Sequence, residues 1–295
     1  MTLFPYFGGK SGAAEAVWAH LGAPDLYIEP FAGSLAVLLQ RPSEPKVEVA
    51  VDLDGLLLNF WRAIRGNWIA VERHLGGPVS EVDIDAKHRR LLELRGALTL
   101  RLRDDPFYFD AMLAAWWWQG ISSWLGSGYG YRPSRQRPHI DRSLKGAWAT
   151  RMSDDRIAAV SARLSNVILL AGDWTDAWSR SCREAIVQRW KPADRNVGVF
   201  LDPPYVRASR NGRAKGLYAE DKSLNAQVTA WCLNERHDAK VVVAGYEHEY
   251  PALVEAGWEV KVWKQPNGYA GQSNTCRDQD VLFLSPSTKV WKRRH

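Results

Sequence analysis

The stretch VFLDPPYV, residues 199–206, opens as an apolar run of β-branched and aromatic residues and stops on an aspartate, two prolines and a tyrosine. Such a run reads as a buried strand. Pro203 and Pro204 lack the N–H that a sheet ladder needs, and Pro203 also restrains the residue before it. The strand therefore ends at Asp202, and delivers a carboxylate, a rigid turn and an aromatic ring to its carboxyl end.

The same kind of run recurs on both sides of it. DLYIEPF (25–31) and KVEVAVD (46–52) form a first block; NVILLAGD (166–173), NVGVFLD (196–202), AKVVVAG (239–245), WEVKVW (258–263) and QDVLFLS (279–285) form a second. Helix-like segments such as SGAAEAVWAHL (11–21) and SLAVLLQ (34–40) lie among them. This alternation predicts an α/β fold with a mostly parallel, doubly wound sheet whose last two runs pair antiparallel at one edge. Ligands of such sheets bind at the carboxyl ends of the strands. Glu29, Asp52, Asp173 and Asp202 all fall at such ends.

Residues 56–165 are of a different kind: helical in pattern, rich in arginine and tryptophan, and without a β-run of comparable quality. They read as an inserted, mainly helical domain, which leaves 1–55 and 166–295 to build the sheet domain. GLLLNFWRAIRG (55–66) and PFYFDAMLAAWWWQGI (106–121) are its expected helices. Adjacent aromatics on a helix point in different directions and usually fill a core, so Trp116, Trp117 and Trp118 are expected inside. GSGYGYRPSRQRPHIDRSLKG (126–146) holds too much glycine and proline for a long helix. Its Tyr129, Tyr131, Arg132, Arg135 and Arg137 have the composition of an element that enters a duplex, and equally that of a solvated charged loop.

The bulk properties set outer limits. A chain of 295 residues, 46% hydrophobic, can bury a substantial core, and a net charge of +6 mildly favours anionic partners. The three cysteines are far apart, with neither metal-ligand spacing nor a histidine cluster beside them, so no metal site is expected and a reducing, cytoplasmic setting fits. The N-terminus has no signal-peptide pattern and no apolar stretch is long enough to span a bilayer, so no membrane association is expected.

Two glycine motifs fail as nucleotide loops. In YFGGKSG (6–12), Gly9, Lys10 and Ser11 match the end of a phosphate loop, but Phe4 stands where its first glycine belongs and no buried strand leads in. EPFAGSLAV (29–37) has the single glycine Gly33 where a dinucleotide fingerprint has three. A strand, an acid, a turn at which Gly33 lets the backbone approach a ligand, and a helix beginning near Ser34 remain. That set suits a cofactor with a polar, charged tail. Asp52 can accept both hydroxyls of a ribose, or alternatively cap the following helix, since Asp52 and Asp54 both precede GLLLNFW.

PYFGGK (5–10), YIEPFAGSLAV (27–37), VDLD (51–54), LAGD (170–173) and LDPPY (201–205), in this order and spacing, resemble the motifs of the Dam-type DNA adenine-N6 methyltransferases. The resemblance implies a Rossmann-like S-adenosylmethionine methyltransferase sheet carrying an inserted target-recognition domain, with S-adenosylmethionine as cofactor and double-stranded DNA as substrate. It implies that Phe31 and Gly33 lie near the cofactor, Asp52 on its ribose and Asp173 beside its adenine, while Tyr6 and Lys10 line the cofactor and the mouth of the target pocket. The middle of the chain matches in position alone; because relatives carry target recognition there, Tyr129, Tyr131, Arg132, Arg135 and Arg137 are expected to contact DNA. Two places depart from the pattern: AGY (244–246) replaces the Ser-Asn of many relatives, and Asp54 replaces an asparagine.

Adenine's exocyclic nitrogen is a poor nucleophile because its lone pair is delocalised into the ring. The Asp202 carboxylate and the Pro203 carbonyl can each accept one of its N–H groups, aligning the lone pair on a sulfonium methyl and stabilising the developing charge. Tyr205 can stack on the flipped base. Methyl transfer is then direct. An RNA adenine methyltransferase, or a DNA-binding protein of the same fold without turnover, are the alternatives that the motifs leave open.

Overall fold

All seven apolar runs are strands of one sheet in the computed structural model, which describes residues 3, 4, 6, 9–75, 80–123, 129–131, 154–179, 182, 196–204, 218–234, 239–263 and 280–286. They are β1 (Leu26–Glu29), β2 (Val47–Asp52), β3 (Val167–Ala171), β4 (Val197–Leu201), β5 (Ala239–Tyr246), β6 (Glu259–Val262) and β7 (Asp280–Leu284). The strand order is β3-β2-β1-β4-β5-β7-β6. β1 to β5 are mutually parallel, and β7 runs antiparallel to both neighbours, β5 and β6. The expected antiparallel edge is therefore present, with β7 inserted between β5 and the outermost strand. The order reverses between β1 and β4, and in an open α/β sheet that switch point is where a crevice forms at the strands' carboxyl ends.

The helices are α1 (Ala14–Leu21), α2 (Gly55–Arg73), α3 (Glu81–Asp104), α4 (Ala111–Ser123), α5 (Asp154–Leu164), α6 (Tyr218–Cys232) and α7 (Pro251–Glu255). Side chains alternate across each strand. Phe200, Val242 and Leu282 enter one apolar cluster, whereas Val199, Leu201, Val241, Val243 and Phe283 enter another on the opposite face. The second cluster is closed by Val228, Trp174, Tyr250 and Leu253. The first holds α1 together with Trp61 and Ile64 of α2, Leu98 and Leu102 of α3, Trp117 of α4 and Ile157 of α5. The described helices of segment 56–165 thus cover one face of the sheet and share its core.

Helix α2 shows why. Every residue from Gly55 to Ile64 is buried, the pattern of a helix enclosed on all sides. Its one charged member in that run, Arg62, is satisfied by main-chain carbonyls, donating to Leu169, Leu102 and Asp105. The guanidinium so ties β3 to the last turn of α3, whose carbonyls have no partner within the helix. Trp117 and Trp118 are buried as expected, and Trp118 donates its indole N–H to the Leu3 carbonyl at 3.0 Å.

One expected element is absent. SLAVLLQ was expected to be a helix beginning near Ser34, but Gly33 (φ +47°) and Leu35 (φ +51°) both lie in the left-handed region, and only Leu38–Gln40 forms a short 3₁₀ turn. An α-helix cannot start through two left-handed residues. Among the described residues, no helix is long and apolar enough to cross a membrane, and no group of three or more His, Cys, Asp or Glu residues could hold a metal ion.

Candidate active site

Three strand ends converge at the switch point. Asp202 follows β4 and is met there by Lys10, whose ammonium nitrogen lies 2.8 Å from Asp202 Oδ1. Lys10 is buried. Burial pushes the Asp202 carboxyl above its usual range, Lys10 draws it back down, and Asp280 adds a smaller upward push. The Lys10 ammonium also lies 5.9 Å from the centre of the Trp263 ring at the end of β6. A cleft opens beside this pair, lined by Tyr6, Lys10, Glu29, Phe31, Gly33 and Asp202 among others.

The loop after β1 is shaped by Gly33. Its left-handed φ suits glycine, and a Cβ added there would stand 3.1 Å from the Tyr6 ring. Gly33 is held from both sides, donating its N–H to Asp52 Oδ2 at 2.9 Å and accepting the Trp61 indole N–H at 2.9 Å. The Tyr6 ring thus packs over the Gly33 backbone, at the edge of the cleft that both residues line.

Asp52, at the end of β2, also accepts the backbone N–H of Asp54 on Oδ1 at 2.8 Å. Burial raises its carboxyl to about 6; the Asp54 charge adds to this, and the bonded backbone N–H groups oppose it. The helix cap is Asp54 and not Asp52: Asp54 accepts the Leu56 N–H at 3.1 Å and stands at the N-terminus of α2. A carboxylate has about four acceptor positions. With the backbone N–H groups of Gly33, Leu53 and Asp54 all bearing on it, Asp52 keeps capacity for a further hydroxyl donor.

Asp173 begins a 3₁₀ turn, Trp174–Trp178, which it caps by accepting from Thr175 N at 3.0 Å and Thr175 Oγ1 at 2.5 Å, with Asp176 bonding back to the Asp173 N–H. Next to it, the Trp174 ring stacks on Phe31 with centroids 5.8 Å apart and planes 21° apart. The turns after β1 and β3 thus meet through aromatic faces across the end of β2.

Of the residues expected on DNA, Tyr129 is instead part of the core. Its ring is 1% exposed and its hydroxyl donates to the Trp116 carbonyl at 3.1 Å. It occupies the space left by Gly120, where a Cβ would stand 1.8 Å from the Tyr129 ring. No face is left for a base. Tyr131 lies at the rim, 38% exposed, with its hydroxyl donating to Asp54. Tyr205, Arg132, Arg135 and Arg137 lie outside the described residues, whereas Pro203 is buried beside Asp202.

Some participants had no signal that singled them out. Glu29 is buried in the cleft, accepts the Tyr27 hydroxyl at 2.8 Å, and is raised by burial to about 8; its place at a strand end was legible, its environment was not. Arg95, 3.8 Å from the Asp54 carboxylate, sits on a long helix whose other arginines read alike. Comparison of the chain with models of known protein families and with curated proteins finds no match.

Proposed function

We propose that this protein transfers a methyl group from S-adenosylmethionine to the exocyclic amino group of adenine in double-stranded DNA, on a Rossmann-like methyltransferase sheet with residues 56–165 supplying target recognition. The observation that carries the reading is the ion pair of half-buried Asp202 with buried Lys10 at the switch point, immediately before Pro203 and Pro204 and on the wall of a cleft.

The residues present fit the cofactor. Asp52 retains acceptor capacity for a ribose hydroxyl. Gly33 lines the cleft without a side chain, and the half-buried Phe31, backed by the buried Trp174, offers an aromatic edge near Asp173 for the adenine. When bound, S-adenosylmethionine supplies an electrophilic methyl group on a sulfonium. The chain's own work is to orient and stabilise. Lys10 engages Asp202 Oδ1 and leaves Oδ2 to accept one N–H of the target amino group, while the Pro203 carbonyl accepts the other. Both acceptors are restricted before reaction, one by an ion pair and the other by the proline rings of 203 and 204, so little reorganisation accompanies the charge that develops on nitrogen. As the N–C bond formed, the S–C bond of the cofactor would break and S-adenosylhomocysteine would leave; Asp202, held as an acceptor by Lys10, would then take the surplus proton of the cationic nitrogen, and its burial favours the carboxyl that results. The net charge of +6 favours a polyanionic substrate.

Transfer from methyl-labelled cofactor, followed by nucleoside analysis, tests the reading. Label recovered as N6-methyladenine from duplex DNA is expected. Label confined to RNA would redirect the substrate, and cofactor binding without transfer to any nucleic acid would remove the activity.

The Asp52 assignment has its own expected result. A carboxyl raised to about 6 is mostly ionised at pH 7 and mostly protonated at pH 5. Only the ionised form offers its full acceptor capacity, so affinity for S-adenosylhomocysteine should fall by about tenfold between pH 7 and pH 5. In Asp52→Ala the affinity should already be low at pH 7 and lose most of that pH dependence, as read by calorimetry. A wild-type affinity in Asp52→Ala would take Asp52 out of the ribose site.

A further inference from the structure

The turn between β2 and α2 carries two acids two residues apart, the half-buried Asp52 and the buried Asp54, and they do different work. Asp52 bonds the backbone of Gly33, which lines the cleft; Asp54 bonds Tyr131 of the 129–131 turn and lies by Arg95 of α3. Asp54 is 5% exposed. Besides capping α2, its carboxylate accepts the Tyr131 hydroxyl on Oδ2 and lies 3.8 Å from the Arg95 guanidinium on Oδ1. Arg95 in turn lies over the Tyr131 ring, 4.6 Å from its centre. Three groups from three separate parts of the chain thus fix one carboxylate. The backbone of that same residue donates to Asp52 Oδ1, and Asp52 Oδ2 takes the Gly33 N–H. A continuous hydrogen-bonded path runs from the Tyr131 hydroxyl through Asp54 and Asp52 to the loop after β1.

We propose that Tyr131 and Arg95 are positioning residues for Asp52: by holding the Asp54 carboxylate on the far side of the turn, they present the Asp54 N–H to Asp52 and so set cofactor affinity from outside the cleft. The inference rests on the cofactor site proposed above. Two like charges in one short turn, one of them buried, repel, and the arrangement persists only where each is compensated. Arg95 and Tyr131 supply that compensation for Asp54. Without the Tyr131 hydroxyl, a buried acceptor loses a donor, and a shift of the Asp54 backbone that brings its carboxylate to a new one also carries the Asp54 N–H away from Asp52. Asp52 then loses one of the backbone donors that fix its rotamer. By linkage the effect is mutual: cofactor that engages Asp52 tightens the hold on Tyr131, from which the chain runs directly into Arg132 and the basic stretch.

Tyr131→Phe removes the hydroxyl and keeps the ring under Arg95. Tyr129→Phe removes a hydroxyl of the same turn whose bond, to the Trp116 carbonyl, is off the path, and so controls for a general loosening. Calorimetry with S-adenosylhomocysteine at pH 7.5 should show affinity about five- to tenfold weaker in Tyr131→Phe and within about twofold of wild type in Tyr129→Phe, given that hydrogen bonds to charged groups are the stronger kind. In turnover, Tyr131→Phe should raise the cofactor KM by a similar factor and leave kcat within about twofold. Equal weakening in both variants would reduce Tyr131 to a structural part of its turn, and unchanged affinity in Tyr131→Phe would overturn the proposal outright. Absence of S-adenosylhomocysteine binding by the wild-type protein would instead remove the cofactor reading, and the positioning role with it.

Discussion

Replacing Asp202 by alanine is expected to slow methyl transfer by a hundredfold or more while leaving affinity for S-adenosylhomocysteine within about twofold, because an oriented acceptor in a desolvated site typically contributes on the order of a hundredfold or more in rate. The two readouts separate because the residues proposed to hold the cofactor, Asp52, Gly33 and Phe31, come from β2 and the turn after β1, whereas the role proposed for Asp202, after β4, is on the amino group of the substrate. Alanine also strips the buried Lys10 of its ion-pair partner, and breaking such a pair costs roughly 3–5 kcal/mol when the remaining charge stays buried. Asp202→Asn is therefore the necessary companion. It keeps the shape and an acceptor oxygen for Lys10, but presents an amide where the substrate N–H needs an acceptor and its surplus proton needs a base. Single-turnover transfer by the asparagine variant should be impaired nearly as much as by the alanine variant, with a smaller loss of melting temperature. Near-normal turnover by either folded variant would sink the catalytic assignment.

The sheet was legible because its signals are local. An apolar run of β-branched residues that stops at Pro203, or at an acid followed by glycine or proline, contains both the strand and its end; β4 and β1 are cases of each. The site was legible only as a set of strand ends. That Lys10 meets Asp202 depends on two remote segments converging over the switch point, which no local pattern encodes. The choice between Asp52 and Asp54 as helix cap was open for a similar reason: both precede the same apolar run, and the decision lies in the backbone donors that each carboxylate meets. Tyr129 was misplaced because glycines and tyrosines in alternation look like an open loop. Gly120, on the facing helix, makes a slot that a tyrosine ring fills. SLAVLLQ has a helix former's composition, yet the left-handed Gly33 and Leu35 that shape the loop after β1 prevent the helix from starting. At that position the need of the proposed site and the local propensity disagree, as is common where a backbone approaches a ligand.

Lys10→Ala should slow the reaction through Asp202. Of the influences on the Asp202 carboxyl, burial is the largest and raises it, and Lys10 is the one that holds it down. Removing the ammonium lets burial and Asp280 act unopposed, so protonation of Asp202 persists to higher pH. The substrate amino group then meets a carboxylic acid in place of a carboxylate, with one acceptor fewer and no base for its proton. Turnover at pH 7 should fall by about ten- to a hundredfold, within the range by which a positioned acid–base group changes a rate. The acid limb of the pH–rate profile should move to higher pH, so that the deficit against wild type narrows toward pH 9. Stability follows the same sign. A carboxyl whose folded pKa lies above its unfolded value contributes stability that is present at low pH and lost as pH rises through the folded pKa. Lys10→Ala should therefore lose melting temperature on going from acid to neutral pH more steeply than the wild-type protein. Lys10→Met preserves the apolar stem near Trp263 and should show the same displaced limb with less general loosening. An acid limb that stays in place in both variants would mean that Lys10 does not set the protonation of Asp202, and that the pair is a structural tie between the N-terminal segment and the end of β4.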